Sequence, residues 1–364
     1  MNTILQIVPR VPGGIDGVGD YALTLAAKLL DKFGCGTVFV TPDAGSPSTV
    51  HGFDVLPVDR LVAAAQQSDR VILHYVNYGY QKRGVPLRLL SILRKLREQH
   101  RVSSLTIFHE LYASGPPWGS AFWLRPLQIY VAKSVARLPA ECVVSNENFV
   151  RDLRRFVPDA CIHLHPVPSG LGEPALSSDQ IANRDPHRWV IVGGTQLNER
   201  SLRSLSLAIR EIPDSIAPHR LLVLGGHENP VTRSLLADLG IESEYRPGIT
   251  STEASEILRT CSFAWFNYFH RPDIETSVIL KSSAYASACA HAVIPVFPHR
   301  GSLISIEGDR LPGPFFVSRG ENDVPSGTNR AAIAQKIYDW YQRHVSSEHL
   351  VNGVASVLGL TSRR

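Results

Sequence analysis

His109 and Glu110 stand side by side directly after an apolar run, Leu105-Thr106-Ile107-Phe108. An imidazole and a carboxylate where a strand turns into a loop can orient a ligand's hydroxyl groups or move a proton. The loop that follows holds Leu111, Tyr112, Gly115, Pro116, Pro117 and Trp118. A polar pair beside an aromatic, proline-stiffened loop suits a site better than a core. His74 has the same placement, after Val71-Ile72-Leu73, with Tyr75, Asn77, Tyr78 and Tyr80 beside it. The aromatic faces there are suited to stacking on a sugar ring.

Two glycine loops point to anion binding. Pro12-Gly13-Gly14-Ile15-Asp16-Gly17-Val18-Gly19 separates an apolar strand at 3–8 from a helical pattern at 21–30. Glycine permits a tight turn and close backbone approach, and the helix start offers unpaired N–H groups. The spacing departs from G-x-G-x-x-G, and no Gly-Lys-Ser/Thr follows, so neither nucleotide fingerprint is spelled out. A turn needed only for packing is the competing reading. Gly193 and Gly194 close a second strand, at 189–192, and Arg200 follows just before a helix expected over 201–211. Arg200 there could meet a phosphate or serve as an ordinary first-turn charge. Arg271, Asp273 and Glu275 precede a helix expected over 277–291, with Thr276 or Ser277 as N-cap. Lys281 and Ser282 fall inside that apolar helix, where a lysine needs an anionic partner such as phosphate or an aqueous edge.

Other chemistries lack support. No Gly-x-Ser-x-Gly elbow is present. His163 and His165 alternate along one strand without an adjoining carboxylate, so no metal ligation is expected. The five cysteines (35, 142, 161, 261 and 289) have no metal-site spacing and read as buried free thiols in a reducing compartment. The net charge of +4 is too small to argue for nucleic acid. The N-terminus has no signal-peptide pattern and no segment reaches the length of a membrane span, which favours the cytoplasm. Residues 111–135 mix Trp118, Phe122, Trp123 and Leu124 with Arg125 and Lys133. That mixture suits peripheral contact with the inner face of a membrane, an active-site lid or core packing.

At 364 residues the chain exceeds the size of a single core, so two domains are expected. Short Val/Ile-rich runs at 37–41, 71–76, 104–108, 141–145 and 162–166, with helical stretches such as 86–99 between several of them, predict a buried parallel sheet. A polar, turn-rich stretch at 167–188 reads as a linker. A second series follows, with strands at 189–192, 221–224, 262–266 and 293–297 and helices at 253–259 and 330–345. The predicted fold class is α/β, with two Rossmann-like domains, 1–180 and 185–364, facing each other across a ligand cleft. The last helix is a candidate to pack back on the first domain.

Three segments carry a resemblance to a known family. Pro12-Gly13-Gly14 through Tyr21 and Leu25-Ala26 resembles the first loop and helix of retaining GT-B glycosyltransferases of the large group 1, or family 4-like, class. Phe108-His109-Glu110-Leu111-Tyr112 with Gly115-Pro116-Pro117-Trp118, and Leu73-His74-Tyr75-Val76-Asn77-Tyr78, look like a bacterial subset. The resemblance implies a metal-independent hexosyltransferase-like enzyme of polysaccharide biosynthesis. It would use a nucleoside diphosphate sugar as donor and a saccharide or lipid-linked acceptor. It implies His109 at the donor sugar with Glu110 orienting it, and Gly14 and Gly17 near the donor. Gly194, Arg200, Lys281 and Ser282 would hold the diphosphate, and His74, Tyr78, Tyr112 and Trp118 would lie on the acceptor side. The family's two glutamates seven residues apart fall at Lys281 and Ala288, ahead of Val293-Ile294-Pro295-Val296. That departure keeps two other readings open: a nucleotide-sugar epimerase or hydrolase, and a non-catalytic binding protein.

Overall fold

The computed structural model describes residues 3–13, 17–66, 68, 70–99, 103–113, 115–139, 141–269 and 274–361. Gly14, Arg271 and Asp273 lie outside the described residues. The chain divides into two compact units, Met1–Pro166 with Ser347–Arg364, and Val167–Ser346.

The first unit is built on strands β1 (Thr3–Ile7), β2 (Gly36–Thr41), β3 (Ser48–Val50), β4 (Phe53–Pro57), β5 (Arg70–Tyr75), β6 (Ser103–Phe108), β7 (Glu141–Val144) and β8 (Cys161–Leu164). Their order is β3-β4-β2-β1-β5-β6-β7-β8, parallel throughout except for the β3–β4 pair. Its helices are α1 (Gly17–Phe33), α2 (Leu61–Ala65), α3 (Asn77–Tyr80), α4 (Leu87–Gln99), α5 (Ser120–Ala136) and α6 (Glu147–Phe156). The strands are short apolar runs because both faces are covered. Leu5, Ile7, Leu73 and Val144 pack with Leu90, Leu93 and Val131 in one cluster. Val8, Phe39 and Val55 pack with Ala22 and Ala26 of α1 in another.

The second unit opens with α7 (Ser178–Ala182), whose Ser177 and Gln180 form a capping box. The 167–188 stretch, expected as a linker, belongs here: Val167 N–H donates to Leu280 O and Ser169 N–H to the Tyr341 hydroxyl. The unit continues through β9 (Arg188–Val192), α8 (Thr195–Ala208), β10 (Arg220–Leu224), α9 (Pro230–Asp238), β11 (Glu242–Arg246), α10 (Ser251–Leu258) and β12 (Phe263–Trp265). It ends with α11 (Ser283–Ala290), β13 (Ile294–Phe297), β14 (Ser305–Ile306), β15 (Asp309–Arg310), β16 (Phe315–Ser318), β17 (Glu321–Asn322) and α12 (Gly327–His344). The sheet order is β11-β10-β9-β12-β13-β16-β17, with β17 antiparallel to β16. Both units are thus Rossmann-like, and the chain is a two-domain α/β protein.

Two local expectations change. The helix predicted over 277–291 is a 3-10 turn, Thr276–Lys281, followed by α11, and Ser282 is the N-cap, accepting from Tyr285 N–H at 3.3 Å. Helix 330–345 corresponds to α12 in the second unit. A further helix, α13 (Ser347–Val357), follows it and packs on α1 within the first unit.

Candidate functional site

Parallel α/β sheets present their ligand-facing groups beyond the carboxyl ends of the strands. In the first unit, His74 sits near the end of β5 and His109 follows β6, held there by a bond from its N–H to Tyr75 O at 3.0 Å. The two rings are brought together. His74 Nδ1 lies 3.2 Å from His109 Nε2, and the rings stack with 5.5 Å between centroids. His74 is fully buried, and its Nε2 meets Gln6 Oε1 at 2.8 Å. Gln6 Nε2 donates in turn to Thr37 Oγ1 at 3.3 Å. Tyr21 of α1 packs edge-on against both rings, 4.9 Å from His109 and 5.7 Å from His74. Burial holds His109 down at about 4 and lowers His74 well below the usual imidazole range, with the neighbouring His109 adding to the His74 shift. Both rings are therefore neutral near pH 7, and neither is a strong base.

The other first-unit candidates scatter around this pair. Glu110 is exposed and the ring meeting His109 is His74. Gly17 opens α1 with free space where a Cβ would stand. Tyr78 accepts from Gln128 Nε2 at 3.1 Å, and Gln128, fully buried, also accepts from Ala113 N–H. Tyr112 donates to Asp152 at 2.6 Å under the Arg125 guanidinium, which ties it to α6. Trp118 is 87% exposed, and α5 continues an apolar surface through Phe122, Trp123, Leu127 and Tyr130.

In the second unit the glycine loops after β9 and β10 interlock at the start of α8. Gly194 is the N-cap and has no side chain to satisfy the first-turn N–H groups. Gly225 and Gly226 both have positive φ, +84° and +73°. A Cβ on Gly226 would stand 2.8 Å from Thr195 N, and one on Gly225 2.8 Å from Gly193 O. Asn198, fully buried, ties the loops with Nδ2 at 3.2 Å from Gly193 O and 3.2 Å from Gly225 O. The result is a backbone cradle at the N-terminus of a 14-residue helix, the geometry that suits phosphate.

Arg200 donates from Nε to Asn267 O at 2.8 Å, and Asn267 Nδ2 returns a bond to Arg200 O. Burial raises the Tyr268 hydroxyl next to it, while Ser282 and the Arg200 charge act in the opposite sense, so Arg200 and Ser282 share one neighbourhood. Lys281 is exposed at the end of the 3-10 turn. Ala288 is fully buried within α11.

At the end of α11, Ala292 takes φ +54°, a left-handed conformation that glycine adopts more readily. Arg184 Nη1 contacts three carbonyls here: Cys261 O at 3.1 Å, His291 O at 2.7 Å and Ala292 O at 3.1 Å. His291 is also fully buried, between Ser287 O and Ser255 Oγ, each at 2.7 Å.

Gln6, Tyr21, Asn198, Asn267 and Tyr268 are the site residues that sequence reasoning missed. Gln6 carried a readable signal, an amide inside an otherwise apolar strand that must bury it with partners, whereas Asn198, set among Gln196, Glu199 and Arg200, carried none. Tyr268 had none, because its role depends on the path between β12 and α11.

One group of three metal-competent side chains occurs among the described residues: Glu141, Cys161 and His163. The expectation that no carboxylate adjoins His163 is corrected, because the parallel register sets Glu141 beside Cys161 and the carboxylate bonds His163. Glu141 and Cys161 begin their strands, at the sheet edge opposite His109. His165 is separate, buried and stacked on His349. Cys161 is also the one exposed thiol; the other four cysteines are buried, and none of the five is in a disulfide.

No protein-family model matches this sequence, and neither does any curated protein sequence. Solved structures match along the whole chain. The Anabaena protein HepE, determined with UDP and glucose, aligns with TM-score 0.59 at 10% identity, over 99% of this chain and 100% of its own. OtsA aligns with TM-score 0.53 at 9% identity, over 98% and 99%. A Polygonum tinctorium UDP-glucosyltransferase aligns with TM-score 0.52 at 10% identity, over 99% of each. At such identities the likeness is one of fold.

Proposed function

We propose that this chain is a glycosyltransferase that moves a sugar from a nucleoside diphosphate sugar to a saccharide or lipid-linked acceptor, with retention and without a metal. The observation that carries the reading is the second unit's cradle, where the Gly193-Gly194 and Gly225-Gly226 loops interlock at the uncapped start of α8. The N–H groups there favour a diphosphate, and Arg200 and Lys281 would add positive charge as the leaving group departs. In a reading without metal, these groups carry the stabilisation a cation would supply. His109 contacts the transferred sugar. Retention fits a histidine held at about 4, because deprotonating an acceptor for direct displacement needs a base poised near 7.

A lipid-linked acceptor fits the face of α5. Trp118 and Trp123 are 87% and 71% exposed, and residues 111–140 include Arg125, Lys133 and Arg137 but no acidic residue. Aromatic rings with basic neighbours suit an anionic membrane surface. Among the described residues no helix is long and apolar enough to cross a membrane.

A non-catalytic binding protein is the second reading. It is favoured by Ala288, buried where the resembled family carries a glutamate. Release of nucleoside diphosphate from UDP-, GDP- and ADP-sugars in the presence of a glycan and lipid acceptor panel separates the two. Turnover that falls at least tenfold in a folded His109→Ala variant supports the transferase; undiminished turnover in that variant refutes the role given to His109.

A further inference from the structure

The pair of histidines carries more than proximity. Gln6 lies in the middle of β1, flanked by apolar residues, and is itself fully buried. Its Nε2 points to Thr37 Oγ1, so its Oε1 is the atom that faces His74. A carbonyl oxygen only accepts, so His74 Nε2 must carry a proton. A neutral imidazole has one N–H, so His74 Nδ1 is then a bare lone pair. That lone pair faces His109 Nε2 at 3.2 Å, and two lone pairs at that distance would repel. His109 Nε2 must therefore carry the N–H, and its Nδ1 is left bare. Among the described residues no hydrogen bond is made by that Nδ1.

We propose that Gln6 and His74 are positioning residues that fix His109 as the neutral Nε2–H tautomer, leaving its Nδ1 lone pair to accept a hydrogen bond from a ligand hydroxyl. A ring with only a lone pair to offer repels a phosphate oxygen and attracts an O–H donor. The ligand group it takes is thus a neutral sugar hydroxyl, and the diphosphate belongs elsewhere. Assigning that hydroxyl to a donor sugar rests on the proposed function; the tautomer does not. Burial of both rings keeps them neutral, which preserves the directionality of the chain. Tyr21, packed across both rings, limits their rotation.

Nitrogen-15 NMR of the full chain labelled at histidine reads the tautomer directly, with the His109 signals assigned by their loss in His109→Asn. In ligand-free wild type at pH 7, the proposal expects His109 protonated at Nε2 and unprotonated at Nδ1. Gln6→Glu, which keeps an acceptor facing His74, retains that pattern. Gln6→Leu, which removes it, raises the Nδ1–H form of His109 severalfold. A wild-type His109 protonated at Nδ1, or a folded Gln6→Leu variant with unchanged tautomer, overturns the proposal. Should Gln6→Leu fail to fold, the wild-type and Gln6→Glu spectra still decide it. Because the readout needs no ligand, failure to bind any sugar nucleotide would sink the transferase reading and leave this result standing.

Discussion

Replacing Gly226 with alanine tests how the glycine cradle is built. Gly226 has φ +73°, and a Cβ there would stand 2.8 Å from both Thr195 N and Thr195 Oγ1, and 3.0 Å from Thr195 Cα. A left-handed L-residue costs roughly 1–2 kcal/mol. The clash is with backbone at the first residue of α8, so relief requires the helix start to shift, which adds about 1–3 kcal/mol of overpacking. It also disturbs the bond from His227 N–H to Thr195 Oγ1 at 2.9 Å. Gly240→Ala is the control: φ is +67° and nothing lies within 4 Å of its would-be Cβ. It carries the conformational cost alone. Urea denaturation of both variants should show Gly226→Ala less stable than Gly240→Ala by about 1–3 kcal/mol. Calorimetry should show nucleoside diphosphate binding weakened only in the former. Equal stability of the two variants, or full ligand affinity in Gly226→Ala, would refute the claim that the cradle is closed by backbone contact.

Four further outcomes concern the Arg184 anchor, the left-handed Ala292, the buried histidines and the exposed aromatic face. Arg184→Met leaves the carbonyls of Cys261, His291 and Ala292 without this donor and should lower stability by about 1–3 kcal/mol in urea titration. Ala292→Gly should offset part of such a loss, since φ +54° favours glycine by up to about 1 kcal/mol. His165 and His291 are held by burial at about 3 and about 4, below the unfolded 6.5. The unfolded chain therefore takes up protons first, and stability falls as pH drops from about 6.5 towards 4, by about 2 kcal/mol per group at pH 5. Urea midpoints at pH 7.5 and 5 check this, and an unchanged midpoint contradicts it. Trp118→Ser with Trp123→Ser should abolish flotation with vesicles containing phosphatidylglycerol, while the parent chain should float with these and not with phosphatidylcholine alone.

Much of the fold was legible because its strands are buried on both faces and read as short apolar runs. Phe315-Phe316-Val317 shows the same signal inside a Gly- and Pro-rich stretch. The edges were not legible. β11 is Glu242-Ser243-Glu244-Tyr245-Arg246, an exposed edge strand with no apolar face to announce it. α5 contains Pro126 and carries its aromatics outward, so neither its period nor its composition marks a helix. The split of 277–291 turned on Ser282, whose side-chain bond to Tyr285 N–H starts a new helix. At the site, His74 and His109 were found from their places after apolar strands, and their partnership required the β5–β6 register. The resemblance gave Glu110 the orienting role; the side chain that meets the His109 ring comes from the neighbouring strand, at His74.

The central claim is that the second unit holds a sugar nucleotide by its diphosphate. Calorimetric titration of a panel of nucleoside diphosphate sugars into the wild type, Arg200→Ala and Lys281→Ala tests it most directly. The account predicts saturable binding of at least one donor by the wild type, weakened in both variants. A folded protein that binds none of them, or binds one with equal affinity in all three forms, would contradict it.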